Sequence, residues 1–314
     1  MYPITNTVCP FPGGRRYYSL NDYCKDTFGE KVYRLSLNGG MTCPNRDGTC
    51  GTGGCDFCSE GGSGDFAAPA GDPVSVQLAK ARARISSKTD CKKFIAYFQS
   101  FTNTYAPVSY LRELYTEAMK PEEIVALSIG TRSDCLPDEV LALLAKLREE
   151  KPIWIELGLQ TMHNETLTNM HTHTTSEQFK QAVDRLHTLQ IPVIAHVILG
   201  LPGETKAMML DTIRYLAKLP ISGVKLQLLH VLHGTALADR YKNAPFTMME
   251  LEEYCNLVVD CLELLPPDVV IHRMTGDGPR RLLIAPDWST DKKRVLNTIH
   301  HLLKERNTWQ GRLT

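Results

Sequence analysis

Seven apolar runs of strand length recur along this chain, and a stretch with helical spacing separates each from the next. No other feature restricts the fold so much. Strands are predicted over 32–37, 93–99, 124–129, 153–159, 192–199, 223–229 and 268–272. Helices are predicted over 17–28, 74–86, 108–119, 138–150, 176–189, 205–218, 248–265 and 292–305. Most of the strand runs are predominantly apolar, as in Phe94-Ile-Ala-Tyr-Phe98, which marks strands buried on both faces in a parallel sheet. Right-handed crossovers without a reversal of strand order curl such a sheet into a partial or nearly complete (β/α) barrel; an open doubly wound sheet is the alternative. A barrel of ~250 residues with extensions absorbs the chain. We therefore expect one domain over residues 1–314, with its core at 28–290, an N-terminal extension at 1–27 and a C-terminal helix at 291–306.

Composition narrows the partners. Lys plus Arg equals Asp plus Glu at 35 each, so no global field draws the protein to a polyanion. The most apolar stretch, Ile191 to Pro202, is interrupted by His196 and too short to span a bilayer, and the amino end has no basic-then-apolar signal region. These features predict a cytoplasmic protein without membrane attachment. Its ten cysteines then read as reduced thiols and metal ligands, not as a disulfide frame. Cys9, Cys24, Cys91, Cys135, Cys255 and Cys261 are most simply buried or incidental thiols.

In parallel α/β folds the chemistry lies beyond the carboxyl ends of the strands. The first strand delivers the segment Gly40 to Gly64, which places Cys43, Cys50, Cys55 and Cys58 in a loop rich in Gly, Asn and Asp. Thiolates in close array repel unless a soft metal neutralises them. A structural zinc would use all four sulfurs. An iron–sulfur cluster could take three and leave one iron open. The lone Cys55-x-x-Cys58 pair, where zinc knuckles usually carry two such pairs, favours the cluster.

The run Cys43-Pro-Asn-Arg-Asp-Gly-Thr49 followed by Gly53-Gly-Cys55-Asp-Phe-Cys58 resembles the radical S-adenosylmethionine (SAM) enzymes. It is most similar to a bacterial branch related to the radical SAM domain of the elongator catalytic subunit, which includes the MnmL-like tRNA wobble-uridine enzymes. The resemblance covers residues 28–290 and implies that Cys43, Cys55 and Cys58 hold a [4Fe-4S] cluster whose open iron is chelated by SAM. Cys50 is extra to the pattern, either a bystander or a fourth ligand. Gly200-Leu-Pro202-Gly-Glu204-Thr resembles a frequent feature of the SAM pocket, although a tight turn before a helix explains it as well. Glu156 and Gln160 match a Glu-x-Gly-x-Gln pattern, and Gln99, Thr102 and Asn103 stand where many relatives use Gly-Gly-Glu for the methionine amine.

The branch implies a tRNA substrate, a wobble uridine whose 5-carboxymethylaminomethyl group becomes 5-aminomethyl, and an electron donor such as flavodoxin or ferredoxin. A radical SAM enzyme acting on a small metabolite or peptide is a second reading. A zinc-stabilised, non-catalytic binding module that needs Cys50 is a third. Elsewhere, Arg132 and Asp134 are expected to pair, His196 to be a bonded core histidine, and His230 and His233 to face substrate. His171 and His173 read as solvated or capping. The stretch Arg273 to Arg281 with Trp288 reads either as a phosphate- and base-binding loop or as packing for the last helix.

Overall fold

A computed structural model of the chain describes residues 8–62, 64, 67, 69–86, 90–276 and 278–314; Ser63 of the cysteine loop and Asp277 of the glycine-rich carboxyl loop lie outside the described residues. In chain order the strands are β1 (Val32–Leu37), β2 (Lys93–Phe98), β3 (Ile124–Thr131), β4 (Ile153–Gln160), β5 (Val193–Leu199), β6 (Gly223–Leu228), β7 (Val231–Leu232), β8 (Val270–Arg273) and β9 (Leu283–Ala285). Seven of them, β1 to β6 and then β8, form one sheet in sequence order with every neighbour parallel. This is a curled half-barrel, as the apolar runs and the absence of an order reversal require. The short β7 and β9 pair antiparallel beside it.

Helices α2 (Val74–Ser86), α3 (Val108–Met119), α4 (Asp138–Arg148), α6 (Ser176–Thr188), α7 (Lys206–Ala217) and α9 (Leu251–Leu264) follow successive strands; α5 (Asn164–Asn169) and α8 (Ala236–Asn243) are short insertions, and α10 (Lys292–Glu305) closes the chain against α9. Their starts follow from capping chemistry. Thr175 makes a capping box with Gln178 at α6, and Thr205 and Thr235 accept from the third residue of α7 and α8. The two short strands and the two inserted helices escape sequence reading because segments of that length carry too little periodicity.

The first helix, α1 (Leu20–Phe28), decides the shape of the interior. Ser19 caps its start and Gly29, in the left-handed conformation, ends it. Its Leu20, Tyr23, Cys24 and Phe28 pack on Ile95, Ala126, Trp154 and Ile194, the inward-facing residues near the amino ends of β2 to β5. The helix thus plugs one mouth of the half-barrel. It also spans the gap between the edge strands, since Ile271 of β8 donates its N–H to Tyr18 O at 2.8 Å. Side chains alternate along a strand, so the next inward layer is two residues on: Tyr97, Ser128, Glu156 and His196. One further step gives Gln99, Gly130, Gly158 and Ile198, at the open mouth where the cysteine loop lies. Among the described residues, no helix is long and apolar enough to cross a membrane.

Candidate active site

The cysteine loop is fastened over the open mouth by main-chain bonds. Thr102 N–H donates to Thr42 O at 3.2 Å, Phe101 N–H to Gly62 O at 2.9 Å and Asp56 N–H to Met170 O at 3.1 Å. Buried Asn45 gives its amide to His171 O at 2.6 Å and to Cys55 Sγ at 3.4 Å. Arg46 grips the carbonyls of Cys58 and Ser59 at 3.1 and 2.7 Å. Held in this way, Cys43, Cys55 and Cys58 lie on the wall of a single cavity of 260 Å³, with Gln99, Thr102, Glu156 and Gln160 on the same wall.

A soft metal group fits this donor set. Burial pushes the Cys55 thiol up to about 12, with Cys58 adding to the effect, so the thiolate forms only where a cation takes the place of the proton. Among the described residues no three His, Cys, Asp or Glu side chains stand close enough to share one metal ion. A zinc tetrahedron needs sulfurs roughly 3.8 Å apart, whereas a cluster binds each thiolate at its own iron. Cys50 is exposed and off the cavity wall, where Nη2 of Arg132 lies 3.8 Å from its sulfur. Arg132 pairs with Asp134 at 2.9 and 2.7 Å, as expected, and also holds Thr172 O at 2.9 Å.

The floor of the cavity is charged. Glu156 is 1% exposed and points into the barrel, where Lys225 of β6, also 1% exposed, contacts its Oε2. His196 donates from Nε2 to the same oxygen at 2.9 Å, and Ser128 donates to Oε1 at 2.9 Å. Nη2 of Arg34 lies 3.6 Å from Oε1 and 2.7 Å from Nδ1 of His272, which bridges the two edge strands. Lys225 further reaches Tyr97 Oη at 3.1 Å. Burial alone would raise the Glu156 carboxyl, but the charges of Lys225 and Arg34 and the His196 bond reverse it and hold it well below the usual range. His196 is pushed down to about 4 by burial and by Lys225, so it is a neutral core histidine.

Sequence reasoning missed Lys225, Arg34 and Tyr97. A lysine inside Val224-Lys225-Leu226 was the available signal, since a charge within an apolar strand is costly unless it is paired.

Three predicted residues stand off this wall. Asn103 is fully buried and spends its amide on Phe98 O and Gly130 O at 3.2 and 2.9 Å, pinning the β2 loop to β3. Gly200 and Pro202 turn the chain between β5 and α7, outside the cavity lining; Gly200 has φ of 88° and gives its N–H to Met209 Sδ at 3.1 Å. His230 lines the cavity, whereas His233 is exposed and off the wall. His171, largely exposed, meets Asp56 at 2.7 Å, and His173 packs against Gly51, so both brace the cysteine loop and neither caps α6. Trp288, partly buried, packs its ring on Tyr254 and donates from Nε1 to Met249 O at 3.0 Å.

Comparison with known proteins accords with this arrangement. The sequence model of the Radical SAM superfamily matches residues 46–216, and that of the Radical_SAM C-terminal domain matches residues 221–305. The chain is 42% identical over 311 residues to the uncharacterized protein YtqA of Bacillus subtilis, spanning 99% of this chain and 95% of that one. It is 36% identical over 279 residues to protein YhcC of Escherichia coli, spanning 88% and 89%. A more distant match, 26% over 163 residues, is to a tRNA uridine(34) acetyltransferase of Methanocaldococcus jannaschii, spanning 51% of this chain and 30% of that protein. In three dimensions the chain superposes on Methanocaldococcus infernus Elp3 with a TM-score of 0.69 at 17% identity, covering 89% of this chain and 64% of the other, a likeness of fold. From its half-barrel, its cysteine loop and these relatives, the chain belongs to the radical SAM superfamily, and within it to the family of YtqA and YhcC.

Proposed function

We propose that Cys43, Cys55 and Cys58 hold a [4Fe-4S] cluster, that SAM lies beside it in the cavity they line, and that the substrate is a tRNA wobble uridine whose 5-carboxymethylaminomethyl group is converted to 5-aminomethyl. The observation that carries the reading is the meeting of these three thiols with the polar strand-end residues Gln99, Thr102 and Gln160 around one cavity. The superfamily implies both cofactors. When bound, the cluster and SAM would together supply radical chemistry for removing a hydrogen atom from substrate.

The remaining tasks fall to side chains of this chain. Gln99 and Thr102, at the end of β2, offer amide and hydroxyl groups to the methionine moiety. Gln160, held at φ 67° by the bulge in β4, turns its amide back over Gly158, where a Cβ would lie 2.8 Å from Nε2. Glu156, already engaged by Lys225, His196 and Ser128, serves as the counterion of the floor. The α1 plug below and the cysteine loop above limit water at the reacting atoms. For the nucleic-acid substrate, the support is the partial match to archaeal tRNA uridine(34) acetyltransferases. An electron donor such as flavodoxin or ferredoxin completes the system.

The test is anaerobic reconstitution with iron and sulfide, reduction, and measurement of 5′-deoxyadenosine from SAM, first alone and then with tRNA lacking the final modification, with Cys55→Ala as control. Cysteine-dependent cleavage stimulated by that tRNA supports the whole reading. Cleavage indifferent to tRNA transfers the substrate to a small metabolite or peptide. A colourless zinc protein that leaves SAM intact would return the loop to a structural role.

A further inference from the structure

Asn45 is fully buried in the cysteine loop, and the bonds of its side chain lie on one side. Nδ2 stands 2.6 Å from His171 O and 3.4 Å from Cys55 Sγ, while Oδ1 is buried with no hydrogen-bond partner among the described residues. A carbonyl oxygen only accepts, so His171 O fixes which end of the amide faces it. That end is the nitrogen, and its second proton is left for the sulfur. Packing alone would be met by an apolar side chain, and an amide whose oxygen goes unpaired is costly to bury. What this position supplies is the N–H.

The segment that aims the amide is itself held in an unusual shape. His171 and His173 both have positive φ, 49° and 54°, a conformation that residues with side chains keep only where their surroundings impose it. Three successive carbonyls of this segment serve as acceptors: His171 O for Asn45, Thr172 O for Arg132 at 2.9 Å, and His173 O for Arg132 at 3.4 Å. Thr172 is anchored in turn, its N–H and its hydroxyl each donating to Leu167 O at 3.1 Å, and Nδ1 of His171 meets buried Asp56 at 2.7 Å. Gly51 closes over the far side of the amide, where a Cβ would lie 2.3 Å from Oδ1. The side chain therefore has little room to turn away from Cys55.

A [4Fe-4S] cluster on three thiolates is an anion, and an added electron increases its negative charge. An N–H aimed at a ligand sulfur stabilises the reduced form more than the oxidised one, and so raises the reduction potential. We propose that Asn45 is a positioning residue that acts through Cys55 to make the cluster easier to reduce, with His171-Thr172-His173 as the bracket that keeps its N–H on the sulfur. The inference rests on the proposed assignment of Cys43, Cys55 and Cys58 as the cluster ligands.

Protein reconstituted anaerobically with iron and sulfide is titrated potentiometrically without SAM, and the electron paramagnetic resonance of the reduced cluster is the readout. Asn45→Ala should make reduction about tenfold less favourable, a fall of about 59 mV for one electron, at unchanged iron and sulfide content. Thr49→Val loses the 2.8 Å bond to Tyr105 Oη that fastens the same loop at a residue off the cavity wall, and should stay within about twofold of wild type. In wild type carrying heavy nitrogen in its asparagine side chains, pulsed resonance should show a nitrogen coupled to the reduced cluster, and the coupling should vanish in Asn45→Ala. An unchanged potential in Asn45→Ala, an equal fall in Thr49→Val, or no nitrogen coupling in wild type overturns the proposal. The coupling measurement needs no variant and decides the question should Asn45→Ala fail to fold or to load. Wild type that takes up no cluster defeats the proposed cofactor reading and this inference with it; a loaded wild type that fails these tests defeats this inference alone.

Discussion

Lys225 and Glu156 meet inside the half-barrel with side chains 1% and 0% exposed, 69 positions apart in sequence and two strands apart in the sheet. Neither charge belongs in a barrel interior alone. Together, with His196, Ser128 and Tyr97 around them, they form a floor that stays polar directly above the apolar plug of α1.

Removing one partner strands the other. Lys225→Met or Glu156→Gln should each cost roughly 3–5 kcal/mol in urea unfolding, while Lys225→Met with Glu156→Leu should cost clearly less than the sum. Strict additivity would mean that the two do not interact.

Acid should loosen the interior around the cavity in a defined window. His196 and His230 are both pushed down to about 4, below the ordinary 6.5, so the unfolded chain binds protons that the native one refuses. Their contribution is complete above 6.5 and is lost as pH falls from there to about 4. At most roughly 3 kcal/mol per histidine is involved. The Glu156 carboxyl, held below the usual range, adds its loss at still lower pH. Thermal melting of His196→Gln across this window should fall less steeply than wild type, and an unchanged slope would contradict the buried neutral state.

The cysteines should separate into two groups. Cys43→Ala, Cys55→Ala and Cys58→Ala should each lose cluster absorbance and most bound iron and sulfide. Cys50→Ala, whose residue is exposed and off the wall, should keep them. Retained iron in Cys55→Ala with loss in Cys50→Ala would reverse the assignment.

Asn103 and Gln99 should divide stability from binding. Asn103→Ala removes two buried bonds to Phe98 and Gly130 and should cost roughly 1–3 kcal/mol, leaving SAM affinity unchanged once folded. Gln99→Ala, on the cavity wall, should weaken SAM binding with little change in melting temperature. The opposite pattern would place Asn103 at the ligand.

Much of this was legible in the order of residues. Apolar runs of five to eight residues between amphipathic segments carry a strong period, and the strands and helices they predict match within a few positions. The cysteine loop was legible because four thiols in a Gly- and Asn-rich stretch have few other uses.

Orientation was not legible. In a strand buried on both faces, alternation does not say which face looks inward, so it is the placement of Lys225, His196 and Arg34 around Glu156 that shows it pointing into the barrel. The same holds for Thr102 and Asn103, neighbours of similar polarity: one lines the cavity and the other is consumed by two carbonyls. Sequence by itself determined the parallel α/β sheet and the cysteine loop at its carboxyl end, because local period and ligand chemistry are written in consecutive residues. The charged floor, the brace of His171 and His173 and the packing of Trp288 on Tyr254 were decided by tertiary structure alone, because each depends on groups brought together from parts of the chain far apart in sequence.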